Sequence, residues 1–251
     1  MDLEGKAAII TGGGVGVGRA VALDLARRGV SVAVNFSRSA AEAEAVAAEA
    51  EKLGVRAVCV KADIGRDEQA RALVDQASKA FGRLDILVNN AGVTRFIDHA
   101  DLEKVGEEDW EFIFRTNVWG TFVCSRAASP ALKKDGGGAI VNLSSVAGVY
   151  GTGSSIPYCA SKAAINNMTV TLARALAPDV RVNAVAPGFV DTRWWSEREN
   201  KDAIQQLAAA ASPLKKVCQP EDVSKVVVDL VTSDLITGQI LVVDGGMGIR
   251  G

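Results

Sequence analysis

The chain of 251 residues holds a single histidine, His99, and four cysteines. A Ser-His-Asp hydrolase or a histidine-rich metal centre would hang on that one imidazole, which stands in an acidic stretch. Cys59, Cys124, Cys159 and Cys218 are dispersed and form no Cys-x-x-Cys pair. They read as small, half-buried hydrophobes rather than zinc ligands or a disulfide framework, so no metal is expected. The formal net charge is −2, without the basic balance of a nucleic-acid-binding surface. No uninterrupted apolar run reaches transmembrane length. Met1 to Lys6 carries two acids and lacks the basic, apolar pattern of a secretory leader. The expectation is a soluble cytoplasmic protein with neither nucleic acid nor membrane as partner.

What is present is ample core material, 48% hydrophobic residues against 23% charged. Strand and helix signals alternate from end to end. Strands are expected at Lys6–Thr11, Val30–Phe36, Val55–Val60, Leu84–Val88, Ala139–Leu143, Val180–Val185 and Gln239–Val243. Helices are expected at Val17–Arg28, Ala40–Leu53, Arg66–Phe81, Glu108–Leu132, Ile156–Leu176 and Asp222–Val231. Continuous apolar strands separated by helices imply a parallel sheet covered on both faces, an α/β doubly wound fold. No linker interrupts the pattern, so residues 1–251 read as one domain. Residues 189–211 are longer than an ordinary connection and follow a strand, where a substrate lid would sit.

Two patterns carry chemistry. Thr11-Gly12-Gly13-Gly14-Val15-Gly16-Val17-Gly18 follows the first strand and opens a helix. Glycine permits a tight turn and close backbone approach to a diphosphate, and the helix N-terminus offers free N–H groups to the anion. The bland alternative is a tight turn with no ligand. Further on, Tyr158 and Lys162 stand four apart, with Ser145 upstream. On a helix that spacing puts Cβ atoms roughly 5–6 Å apart on one face. A buried ammonium beside a phenol favours phenolate. Moving a tyrosine from about 10 to neutrality takes about 4 kcal/mol, which Lys162 and a cationic cofactor ring are suited to supply. The phenol would then exchange a proton with a substrate oxygen.

The glycine loop, Asn89-Asn90-Ala91-Gly92, Asn117, Ser145, Tyr158-x-x-x-Lys162, Pro187-Gly188 and Thr237-Gly238-Gln239…Asp244-Gly245-Gly246 occur in one order across the chain. Together they resemble the short-chain dehydrogenase/reductase family. The resemblance implies a Rossmann-like sheet of seven strands in the order 3-2-1-4-5-6-7, with NAD(P) across the strands' C-terminal edge. It assigns Tyr158 as acid/base, Lys162 to the phenol and the nicotinamide ribose, and Ser145 to the substrate oxygen. Ser145 is preferred to Ser144 because Ser145-Val146-Ala147-Gly148 fits the family pattern. Asn117 matches the residue whose backbone holds a water linking Lys162 to solvent. Gly12, Gly14, Val15, Gly16, Val17 and Gly18 match the phosphate loop. Asp63 and Ile64 match the adenine side, Asn90, Ala91 and Gly92 the ribose side, and Pro187, Gly188, Val190 and Thr192 the carboxamide side. A loop-capping role for Asp63 and plain helix packing for Asn117 stay open.

NAD enzymes place a carboxylate at the end of the second strand. The matching position here is Phe36, followed by Ser37 and Arg38, which are able to bind a 2′-phosphate. Arg38 as a solvated charge at a helix start remains the alternative, and Val15 stands where NADP-preferring relatives often carry a base. NADP(H) is expected over NAD(H). Thr94, Ser145, Val146, Ile156, Phe189, Trp194 and Trp195 are the substrate candidates, mostly apolar or aromatic. The tryptophans would cover a substrate or pack a lid or subunit face. Arg95 and His99 stand near the entrance. The substrate is expected to be a small carbonyl or alcohol. A 3-oxoacyl carrier-protein reductase or an NAD-dependent polyol or sugar dehydrogenase is the alternative, and a non-catalytic dinucleotide-binding regulator the alternative of another class. Lys133 and Lys134 suit an acidic carrier, but Asp135 and Asp179 oppose it. The family implies a homotetramer.

Overall fold

The computed structural model describes residues 1–134, 136–195 and 200–249, with the backbone alone at Trp195. Seven strands form one sheet: β1 (Ala7–Ile10), β2 (Ser31–Phe36), β3 (Ala57–Lys61), β4 (Ile86–Asn89), β5 (Gly138–Leu143), β6 (Val180–Pro187) and β7 (Ile240–Val243). All neighbours pair in parallel, in the order β3-β2-β1-β4-β5-β6-β7, as the resemblance implies. The helices are α1 (Gly16–Arg27), α2 (Ala40–Lys52), α3 (Asp67–Phe81), α4 (Glu107–Phe114), α5 (Thr121–Leu132), α6 (Ala147–Tyr150), α7 (Ile156–Leu176), α8 (Lys201–Ala211) and α9 (Pro220–Thr232).

The apolar runs are explained by two cores, one on each face of the sheet. Ala8 and Ile10 of β1 join Val21 and Leu25 of α1, Val46 of α2 and Val227 of α9. Their strand neighbours Ala7 and Ile9 join Leu73 of α3, Val123 of α5 and Ala173 of α7. Alternate side chains thus enter opposite cores, and the asparagines buried in the strands, Asn35, Asn89, Asn142 and Asn183, each have hydrogen-bond partners.

One expectation needs correction. The helix expected over Glu108–Leu132 is interrupted by a π-helical stretch, Arg115–Gly120, between α4 and α5. Asn117 lies in it, fully buried, and an inserted residue of this kind widens one helical turn. Its side-chain amide bonds Val93 and Ser161, contacts that hold the irregular turn in place. The stretch 189–211, longer than an ordinary connection, carries elements of its own. It contains a 3₁₀ turn, Arg193–Trp195, and α8, whose alanines favour helix. Val190 bridges in parallel to Cys218, which anchors the start of this stretch beside the sheet.

Candidate active site

Thr11, Phe36, Asn90, Ser144 and Pro187 all stand at or just beyond C-terminal strand ends, so the sheet delivers them to one edge. There a cleft of about 2110 Å³ opens, at the point where β1 separates β2 from β4. Ligands of open α/β sheets bind at such reversals of strand order.

Its floor is tied together by short polar side chains. The Thr11 hydroxyl donates to the Val88 carbonyl and accepts from the N–H groups of Asn90 (2.9 Å) and Ala91 (3.1 Å). The Asn90 amide donates to the Thr11 and Gly12 carbonyls. Asn35, buried in β2, donates to the Val60 and Ala62 carbonyls and accepts from Gly12 N–H. Asn90 therefore shapes the glycine loop with its own amide.

The fit of this loop to a dinucleotide rests on space and donors. A Cβ at Gly14 would stand 2.9 Å from the Ala43 nitrogen, and one at Gly18 would drive into the Gly12 carbonyl. Gly16 has φ +52°, in the left-handed region, against Thr192. No side chain caps the start of α1, and its first turn has no acid, so the leading N–H groups face the cleft without a competing carboxylate. Gly12, Gly14, Val15, Gly16 and Val17 line the cleft, whereas Gly18 sits beneath it as a packing residue.

At the adenosine end, Phe36, Ser37 and Arg38 line the cleft, the last two exposed. Asp63 and Ile64 line it too. The Asp63 carboxylate accepts from Gly65 N–H at 3.0 Å and pairs with Arg66 and Arg115, so it caps its own loop. At the other end Ala91, Gly92, Pro187, Gly188, Val190 and Thr192 complete the walls. These residues fit a nicotinamide dinucleotide along their whole length.

Ser145, Tyr158 and Lys162 meet on the same wall. The chain turns from β5 into α6 at Ser145, whose hydroxyl also accepts from Ala147 N–H at 3.1 Å. Ser155 caps α7, accepting from Tyr158 N–H, and Pro157 stands in its first turn. Tyr158 and Lys162 thus lie on one face of α7, with the ammonium 5.6 Å from the phenol ring centre. Lys162 is 5% exposed and donates to the Leu143 carbonyl at 2.7 Å. Ser144 donates instead to the Lys162 carbonyl, away from the phenol, while the Ser145 hydroxyl lies near enough to the phenol to favour its ionised form.

Burial dominates the electrostatics. It pushes the Tyr158 phenol up to about 12, with the Ser145 hydrogen bond opposing and Cys159 adding to the rise. It pushes the Lys162 ammonium down to about 8. The expected shift toward neutrality drew on Lys162 together with a cationic cofactor ring; in the protein alone, desolvation dominates the phenol. Among protein groups alone the phenol holds its proton.

The expected substrate side is partly assembled. Thr94, Val146, Phe189 and Trp194 line the cleft, with Arg95 and His99 at its mouth. Thr94 and Ser154 share a short hydroxyl contact. The Trp194 ring lies 6.1 Å from that of Tyr158, centre to centre. Ile156 is not on the cleft wall; it starts α7, and Ser154 takes the place expected of it. The Trp195 side chain and Asp135 lie outside the described residues. Among the described residues, no His, Cys, Asp and Glu group could hold a metal, and no helix is long and apolar enough to cross a membrane.

Sequence reasoning gave Asn35 and Arg193 no role. A lone amide inside the apolar run of β2 was a signal for Asn35. Nothing in the sequence pointed to Arg193, which reaches α2 across 151 positions.

Comparison with known proteins agrees with this geometry. A family profile described as "Enoyl-(Acyl carrier protein) reductase" matches residues 13–248. A Streptomyces violaceoruber protein named as a granaticin polyketide synthase ketoacyl reductase is 43% identical over 97% of this chain and 96% of its own. The 3-oxoacyl-[acyl-carrier-protein] reductase FabG of Staphylococcus aureus is 37% identical over 96% of this chain and 98% of its own. A short-chain dehydrogenase of Burkholderia cenocepacia, solved in complex with NADP, superposes with a TM-score of 0.90 at 36% identity, over 99% of this chain and all of that one. The chain belongs to the short-chain dehydrogenase/reductase family, nicotinamide-dependent oxidoreductases acting on CH–OH and C=O groups.

Proposed function

We propose that this protein is an NADP(H)-dependent reductase of ketones, with Ser145, Tyr158 and Lys162 as its catalytic set. The observation that carries the reading is the convergence of the Ser145 hydroxyl and the Tyr158 phenol on one wall, with Lys162 buried behind them. A reduced nicotinamide, when bound, supplies the hydride. The protein's part is to hold the carbonyl oxygen and protonate it. A phenol raised to about 12 is protonated at neutral pH, the form a reductase needs as acid. Ser145 donates to the same oxygen as charge develops on it. Lys162 then favours the phenolate left behind, and Asn117 fastens α7 to the Val93 loop so that the pair stays in place.

NADP(H) is favoured over NAD(H) because Phe36 offers no carboxylate to ribose hydroxyls, while Ser37 and Arg38 stand exposed on the same rim. The Burkholderia relative in complex with NADP supports this choice. The named reductase relatives favour a 3-oxoacyl thioester over a polyol or sugar. Within 189–211, the described turn that carries Trp194 and α8 serve as the substrate lid. The exposed Trp110 and Trp119 beside α5, and Leu241, Val242 and Ile249 near the C-terminus, support pairing of subunits into a homotetramer.

The test is a spectroscopic assay of NADPH oxidation with three substrate arms: a 3-oxoacyl thioester, an enoyl thioester and simple cyclic ketones, each repeated with NADH. Turnover of the 3-oxo compound or a ketone with NADPH is expected. Turnover of the enoyl arm alone would overturn the carbonyl reading, and tenfold tighter NADH binding would overturn the cofactor choice.

A further inference from the structure

Trp194 lies against the tyrosine and is carried on a short 3₁₀ turn. Its backbone N–H makes a long 3.4 Å contact with the Thr192 hydroxyl. The residue between them, Arg193, reaches in the opposite direction, to the adenosine end of the cleft. Its guanidinium donates to Glu42 Oε1 at 2.8 Å and to the Ser39 hydroxyl at 2.7 Å. Ser39 and Glu42 belong to the start of α2, directly after Ser37 and Arg38. Arg193 and Ser39 both line the cleft. One planar fork therefore joins the rim that would receive a 2′-phosphate to the turn bearing Trp194.

We propose that Arg193 is a positioning residue: it straps the lid to the first turn of α2 across the dinucleotide cleft and so holds Trp194 over Tyr158. This rests on the reading of the cleft as a dinucleotide site. Three observations support a strap rather than an idle surface pair. Glu42 and Ser39 meet the fork from fixed directions, which suits guanidinium and not an ammonium. Arg193 is flanked by Thr192, which touches the glycine loop at Gly16, and by Trp194, which touches Tyr158. A shift of the fork would thus move contacts at both ends of the cleft. Finally, α8, the next helix, buries none of its residues fully, so packing beyond the turn is weak. Glu42 and Arg193 are each about half exposed (47% and 52%), so the pair adds little to overall stability and is weakened by salt.

The test compares R193A, R193K, E42Q and the charge swap E42R/R193E with the native protein. Chymotrypsin cleavage at Trp194 in the cofactor-free protein gives a readout independent of turnover. Dissociation of bound NADPH, or of NADH if that is the dinucleotide bound, is followed by stopped-flow chase. We expect R193A and E42Q to release dinucleotide about fivefold faster and to be cut faster at Trp194. The loss should fall on KM rather than kcat, the melting temperature should hold, and the swap should recover most of the effect. R193K, with no fork, should behave like R193A. High salt should bring the native protein toward the variants. Native release and cleavage rates in R193A and E42Q, or a swap that recovers nothing, would overturn the strap. A native protein that binds neither dinucleotide would instead sink the reading of the cleft, while the cleavage arm would still judge the strap.

Discussion

The floor of the cleft and its roof are built by opposite means. On the floor, Thr11, Asn35 and Asn90 bond backbone groups of the glycine loop and of β3 and β4, and the glycines leave no room for a Cβ. On the roof, the contacts that tie the described part of the 3₁₀ turn and its flanks to the rest of the protein include the Val190–Cys218 bridge with its backbone bonds, the exposed Arg193 fork and the Trp194–Tyr158 contact. The floor has one arrangement, since the bonds share partners and a change in one unsettles the others. The roof is held by exposed contacts of the kind that open at small free-energy cost. A cofactor common to a family suits a rigid seat, and a substrate that must enter and leave suits a loose cover.

The largest effect should come from the floor. In Gly18→Val the side chain would meet the Gly12 carbonyl and the Asn90 amide, and a backbone shift there costs about 3 kcal/mol. Calorimetric titration should show dinucleotide binding weakened about 100-fold. Binding within threefold of native would mean that the loop is not the seat.

A middle-sized effect concerns the buried amine between the two regions. The unfolded chain holds the Lys162 proton to 10.5, the folded chain only to about 8. In that window the unfolded state binds more protons, so stability rises with pH and falls again as pH drops toward 8. Denaturation at pH about 7.5 and about 9.5, below the range where tyrosines ionise, should show native stability gaining about 2 kcal/mol relative to Lys162→Met. Equal slopes for both proteins would show that the amine is not desolvated as the structure has it.

The smallest effect on stability should come from the roof. Trp194→Ala should leave folding within about 0.5 kcal/mol of native, because the ring is 37% exposed. The substrate KM should still rise about fivefold, the scale of one aromatic contact. A large loss of stability would place Trp194 in the core and erase the distinction between floor and roof.

The same division explains what could be read from the sequence. The parallel pairing and the glycine loop follow from local patterns, buried apolar runs between helices and a run of glycines after the first strand, whereas the strand order came from the family resemblance. The pairing of Tyr158 with Lys162 was legible because helical spacing puts them on one face. The π-helical turn at Asn117 was not, since it depends on Val93 and Ser161, which are 24 and 44 positions away. The upward push that burial gives the phenol in the protein alone was not legible, for a related reason. Spacing reveals a charged neighbour, but desolvation depends on everything packed around it. Ile156 does not line the cleft whereas Tyr158 does, because two residues of helix turn their side chains about 200° apart. The Arg193 fork joins two surface segments that no local pattern connects.

The central claim is that the Tyr158 phenol gives its proton to a carbonyl oxygen held with Ser145. The most direct measurement is single-turnover reduction by Tyr158→Phe, alongside NADPH affinity measured by fluorescence. Loss of the one hydroxyl should slow the hydride step by about 10²- to 10⁴-fold with affinity kept within about twofold. A variant that reduces the ketone within tenfold of the native rate would contradict the account.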